Sequence, residues 1–132
     1  MFSPTTKILV LDDMMTMRKI VVKICKELGF FDITEAPDGA EGWKKLEEAG
    51  SQSFQLIISD WNMPNLTGLD LLKKVRGDAR FKGTPFLMVT AEAELTQIKE
   101  AVTSGVDNYV IKPFNAATLT EKLTAVYKKY NK

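Results

Sequence analysis

Gln55-Leu56-Ile57-Ile58-Ser59-Asp60 decides how this chain must fold: an apolar run, a small hydroxyl, then a carboxylate. A strand apolar on both faces belongs inside a parallel sheet with helices packed on either side. Working outward from this strand at 55–59, the segments 7–11 (KILVL) and 85–90 (PFLMVT) repeat its character. The shorter runs 33–36 (ITEA) and 107–111 (DNYVI) complete a set of five expected strands.

Helical periodicity fills the intervals. Met17, Ile20, Val21, Ile24 and Leu28 follow the 3.6-residue repeat, with Gly29 standing where a helix would stop. Asp38 can cap a second helix that runs to about Ala49 and closes at Gly50. Leu71, Leu72 and Val75 mark a short third helix, while Leu95, Ile98 and Val102, ending at Gly105, mark a fourth. Leu119, Leu123, Val126 and Tyr130 mark a fifth. Strand and helix therefore alternate five times, which implies an α/β fold with a doubly wound parallel sheet. Right-handed crossovers favour the strand order 2-1-3-4-5, with ligands bound at the carboxyl ends of the strands near the switch point between strands 1 and 3.

The residues at those strand ends are Asp12, Asp13, Asp60, Thr90 and Lys112. Taken singly, each has an ordinary explanation: a solvated acidic turn, a turn-initiating aspartate, a surface lysine, a threonine ending a strand. Brought to one edge, three carboxylates would repel one another by roughly 4 kcal/mol per pair at 4 Å and an effective dielectric near 20, so a cation is required. The chain has no histidine, which excludes imidazole zinc sites and His-based triads and leaves oxygen ligands suited to a hard cation such as Mg²⁺, Ca²⁺ or Mn²⁺. A carboxylate nucleophile, a metal, a lysine and a hydroxyl together describe a phosphoryl-transfer site. Asp60 is the expected nucleophile because it follows the central strand, while Asp12 and Asp13 are adjacent and can hold the metal jointly.

Composition bounds the remaining possibilities. The 132 residues suit a single domain, 1–132, with no room expected for a separate output domain. The balance of 18 basic and 17 acidic residues offers no field for nucleic acid. Apolar runs are too short to span a bilayer, and the N-terminus lacks the order of a secretory signal, so a cytoplasmic monomer is expected. Cys25, the one cysteine, sits among Ile20, Val21, Ile24 and Leu28 as a small buried apolar residue would.

Asp12-Asp13, Asp60-Trp61-Asn62-Met63-Pro64-Asn65, Val89-Thr90-Ala91-Glu92 and Tyr109-Val110-Ile111-Lys112-Pro113-Phe114 occur in this order at the strand ends. Over roughly residues 7 to 129, this set resembles the receiver domains of two-component response regulators, in the form used by free-standing chemotaxis receivers. The 2-1-3-4-5 strand order is also that family's order, so it is not independent of the resemblance. The resemblance implies that Asp60 is the phosphoacceptor and that Asp13 is a direct Mg²⁺ ligand, with Mn²⁺ able to substitute. It assigns Asp12 as an acidic support and the Asn62 backbone carbonyl as a further ligand. The Asn62 and Glu92 side chains would tune dephosphorylation, and the Lys112–Pro113 bond would be cis. Thr90 and Tyr109 would couple phosphorylation to a surface made by the fourth helix, fifth strand and fifth helix.

Implied partners are a histidine kinase, a flagellar motor switch protein and a possible phosphatase, with the protein itself not an enzyme. Met14-Met15, Trp43 and Asp107-Asn108 depart from the family pattern. A receiver in a non-chemotaxis phosphorelay is the alternative, followed by a Mg²⁺-dependent aspartyl-phosphate phosphatase, which would usually carry a second Asp where Asn62 stands. A flavin-binding module on the same kind of sheet would need a phosphate-cradling loop that is absent after the first strand.

Overall fold

In the computed structural model, which describes residues 1–50, 53–91 and 95–130, ten elements alternate without interruption. They are β1 (Ile8–Leu11), α1 (Met15–Glu27), β2 (Ile33–Ala36), α2 (Gly39–Ala49), β3 (Leu56–Asp60), α3 (Gly68–Gly77), β4 (Phe86–Thr90), α4 (Leu95–Thr103), β5 (Asn108–Ile111) and α5 (Ala116–Tyr130). The strands form one parallel sheet in the order β2-β1-β3-β4-β5, as the sequence leads one to expect. Every residue of β1, β3 and β4 is buried, whereas β2 and β5 lie at the edges and are partly exposed.

Alternate strand residues feed two cores. Leu9, Leu11, Ile57, Phe86 and Met88 point to one face, where Leu46, Leu71, Leu72, Val75 and Ala101 of α2, α3 and α4 cover them. Ile8, Val10, Leu56, Ile58, Leu87 and Val89 point to the other, under Val21, Ile24 and Cys25 of α1 and Leu119 and Leu123 of α5. Burial accounts for Cys25, whose thiol is pushed up to about 12, far from reactivity at neutral pH.

Helix ends follow local chemistry. Asp38 caps α2 by accepting from the Glu41 N–H at 2.8 Å, and Thr67 caps α3 by accepting from Asp70 N–H at 3.1 Å. Gly29 at φ 101° terminates α1: its N–H donates to the Lys26 carbonyl and that of Phe30 to Cys25, a Schellman arrangement. Gly105 repeats it after α4, with bonds from its own N–H to Val102 and from Val106 to Ala101.

Three expected core positions, Ile20, Val102 and Tyr130, turn outward. Ile20 is 42% exposed, and Val22 is buried in its place. At about 100° per residue Ile20 lies about 40° beyond Ile24, just outside the arc that Ile24, Val21, Cys25 and Val22 span. Val102 is likewise exposed, because α4 presents Ala101 to the core.

Candidate functional site

The carboxyl ends of β1 and β3 bring Asp12, Asp13 and Asp60 together, with one oxygen of each within 4.8 Å of the others. Asp12 and Asp60 are buried, at 2% and 6% exposure, while Asp13 faces solvent. From beyond β5, Lys112 reaches across 100 residues of sequence to place its Nζ 3.1 Å from Asp12 Oδ2 and 3.1 Å from Asp60 Oδ1. One ammonium thus bridges two carboxylates from neighbouring strands.

The frame around these groups is well bonded. Asp12 Oδ1 accepts from Met14 N–H at 2.9 Å, and the Asp12 carbonyl accepts from Arg18 Nη1 at 2.8 Å. The Lys112 N–H donates to the Thr90 carbonyl at 2.8 Å, which ties the lysine to the end of β4, and the Lys112–Pro113 bond is cis. Trp61 N–H donates to Val89 and the Trp61 carbonyl accepts from Gly68 N–H at 2.9 Å, so the chain leaving Asp60 is held on both sides.

Burial raises the Asp60 pKa above its ordinary value, and the Asp12 charge adds to this; the Lys112 hydrogen bond and charge oppose them. For Lys112, burial favours the neutral amine, but its bonds to Asp60 and Asp12 together prevail and its pKa is raised. The lysine therefore stays cationic beside a carboxylate made more basic by its surroundings. A Mg²⁺ ion with ligands at about 2.0–2.1 Å holds adjacent oxygens about 3 Å and opposite ones about 4.2 Å apart, so the acidic cluster could hold one once its carboxylates draw closer together.

The other described residues named from the sequence lie on β4, on β5 and in the loop after β3. Thr90 ends β4 and is buried. Asn62 is exposed in the loop after Trp61. Tyr109 lies in edge strand β5, packed partly on the core, with Lys122 Nζ 5.3 Å from its ring centroid. Glu92 lies outside the described residues.

Gly68, which sequence reasoning passed over, is part of the site's frame. A Cβ there would run into the Asp60 carbonyl oxygen, so α3 can start this close to β3 only with glycine. Gly68→Ala is expected to cost about 1–3 kcal/mol of stability by overpacking and to weaken Mg²⁺ binding, as read by urea unfolding and metal titration. Unchanged values in both would show that the backbone accommodates the methyl group.

The profile of the response regulator receiver domain matches residues 8–124. The chain is 46% identical over 125 residues to the chemotaxis protein CheY of Pseudomonas aeruginosa, covering 95% of this chain and 98% of that protein. The solved structure of the chemotaxis response regulator CheY4 of Vibrio cholerae superposes with a TM-score of 0.83 at 35% identity, covering 92% of this chain and 98% of that one. The receiver domain of the sensor histidine kinase PA1611 of P. aeruginosa, with a magnesium ion coordinated in its active-site cleft, shares the fold with a TM-score of 0.78 at 22% identity, over 92% and 98% of the two chains.

Proposed function

We propose, from the premise that this chain belongs to the response regulator receiver domain family, that it is a phosphorylation-dependent signalling switch of chemotaxis. The observation that carries this reading is the Lys112 ammonium held 3.1 Å from both Asp12 and Asp60. That arrangement supports Asp60 as the acceptor. One of its carboxylate oxygens attacks the phosphorus of a phosphohistidine on a histidine kinase, the P–N bond breaks, and an aspartyl phosphate results. Lys112 stays cationic to hold a phosphoryl oxygen, and the Thr90 hydroxyl donates to another.

Asp13, Asp60 and the Asn62 carbonyl would ligate Mg²⁺, with Asp12 as an acidic support and Mn²⁺ as a substitute; the bound ion supplies positive charge against the phosphoryl oxygens. The Asn62 and Glu92 side chains tune the lifetime of the acyl phosphate. The protein is thus a signalling component that assists only its own phosphorylation and dephosphorylation.

Residues 1–132 act as one monomeric receiver domain in the cytoplasm, a placement in keeping with the finding that no helix among the described residues is long and apolar enough to cross a membrane. Its readout is docking through α4, β5 and α5, with a flagellar motor switch protein as target and Thr90 and Tyr109 as the coupling pair. Phosphorylation biases that surface only as far as the phosphoryl group interacts more favourably with the active state than with the resting one. A phosphatase partner would reset it.

The test is addition of beryllium fluoride, an aspartyl-phosphate mimic, with Mg²⁺ while following Trp61 fluorescence in a Trp43→Phe background. A Mg²⁺-dependent change is expected, together with mimic-dependent capture of a motor switch component. A fluorescence signal indifferent to both additives would defeat the reading, whereas capture of a different target would redirect it to another phosphorelay.

A further inference from the structure

The loop of residues 61–67 joins Asp60 to α3 and contains Asn62, the proposed carbonyl ligand of the metal. Its two ends are anchored, by Trp61 to Val89 and Gly68 and by the Thr67 cap of α3. Met63 buries its side chain in the core, while Asn62 is exposed. What fixes the return path from Met63 to Thr67 is a clasp onto the start of α2.

Asn65 adopts φ 68°, the one positive φ at a non-glycine residue among those described. Its Nδ2 donates to Asp38 Oδ2 at 2.9 Å, while Oδ1 of the same carboxylate caps α2 through the Glu41 N–H. The next residue, Leu66, accepts at its carbonyl from Gly39 N–H at 3.2 Å. A Cβ on Gly39 would collide with the Leu66 backbone, so the loop and the helix start are in direct contact. Asp38 is only 9% exposed, and both its oxygens are engaged. A carboxylate taken that far from water must be satisfied by hydrogen bonds, which gives this one a fixed geometry.

We infer that Asp38 and Asn65 are positioning residues for metal binding. The clasp holds the loop so that the Asn62 carbonyl meets the ion already oriented beside Asp60. This rests on the reading of Asp13, Asp60 and Asn62 as the metal ligands. The clasp stands outside the ligand shell, as the partners that orient ligands in metal sites commonly do. Although distant from Asp60 in sequence, Asp38 thus influences the same site through the 61–67 loop.

Two substitutions separate the clasp from its surroundings. Asp38→Ser keeps a good α2 cap but removes the oxygen that Asn65 uses. Asn65→Gly keeps the left-handed backbone but removes the amide. Magnesium chloride alone is the probe, titrated against Trp61 fluorescence in the full chain, with amide exchange of Gly39 measured in EDTA. Each variant is expected to bind Mg²⁺ roughly tenfold more weakly, the low end for loss of an orienting partner. The Asp38→Ser/Asn65→Gly pair should be no worse than either single variant, because each removes the same bond. Gly39 exchange should quicken without any metal present. Wild-type affinity in either single variant, or losses that multiply in the pair, would overturn the inference while leaving the metal reading intact. A wild-type chain that ignores Mg²⁺ would overturn both.

Discussion

Asp60→Asn is expected to abolish phosphoryl incorporation and the Mg²⁺-dependent response to beryllium fluoride, a loss of roughly 10³-fold or more, on the scale seen when a nucleophile is removed. The amide is nearly the same size, so the pocket stays filled, but its oxygen is no nucleophile and carries no charge for a cation. Lys112 would keep Asp12 as its partner, 3.1 Å away. Stability should move the other way. Burial and the Asp12 charge raise the folded-state pKa of Asp60, so its ionised form is less welcome in the fold than in the unfolded chain. That strain is absent at pH values below the unfolded pKa and develops as pH rises through the folded one. In EDTA at neutral pH the variant should therefore melt above the wild type, with the difference shrinking in acid. A variant that still responds to the mimic would remove Asp60 from its assigned role.

The second large effect belongs to the opposite pole of the sheet. Asp107, whose side chain is only 3% exposed, pairs with Arg76 Nη2 at 3.0 Å and accepts from the Phe86 N–H at 2.8 Å. It also receives Lys129 at 3.0 Å and the Tyr130 hydroxyl at 2.9 Å. Arg76 spends its remaining donors on the carbonyls of Gly105, Lys82 and Thr84. One carboxylate thereby joins α3, β4, β5 and the last turn of α5.

Asp107→Ala leaves a guanidinium and a buried N–H short of a partner, and is expected to cost about 3–5 kcal/mol. For a chain of this size that lowers the melting temperature by roughly 10–20 °C, with Asp107→Asn falling between. Tyr130 supplies a pH signature. Burial, with Asp107 beside it, raises its hydroxyl to about 12, above its ordinary value near 10. The stabilisation from this contact is complete below pH 10 and is lost as pH climbs through 12; Tyr130→Phe should flatten that part of the profile. Because this cluster lies away from the strand ends that carry the acidic site, Mg²⁺ binding by the folded Asp107→Asn protein should be unchanged. A melting temperature within a few degrees of wild type for Asp107→Ala would show the network to be replaceable.

What could be read in the sequence was whatever depends on neighbours a few residues away. The doubly apolar strand at Leu56–Ile58, the Asp38 cap and the stops at Gly29 and Gly105 each rest on local backbone geometry, and the observed elements match the expected ones closely. Alternation of strand and helix then limits the topology, which is why Asp12, Asp13, Asp60 and Lys112 could be proposed as neighbours at all.

Only the tertiary structure decided the rest. The side of α1 that faces the sheet is set by packing, so Val22 enters and Ile20 stays out. The partnership of Arg76 with Asp107 spans 31 residues, and that of Asn65 with Asp38 spans 27. Asp107-Asn108 already stood out as a departure from the family pattern, but nothing in its local sequence names the arginine. Periodicity and capping act through the chain itself and leave a mark in residue order. A salt bridge or a loop clasp acts through space, between segments whose meeting is settled only when both cores close.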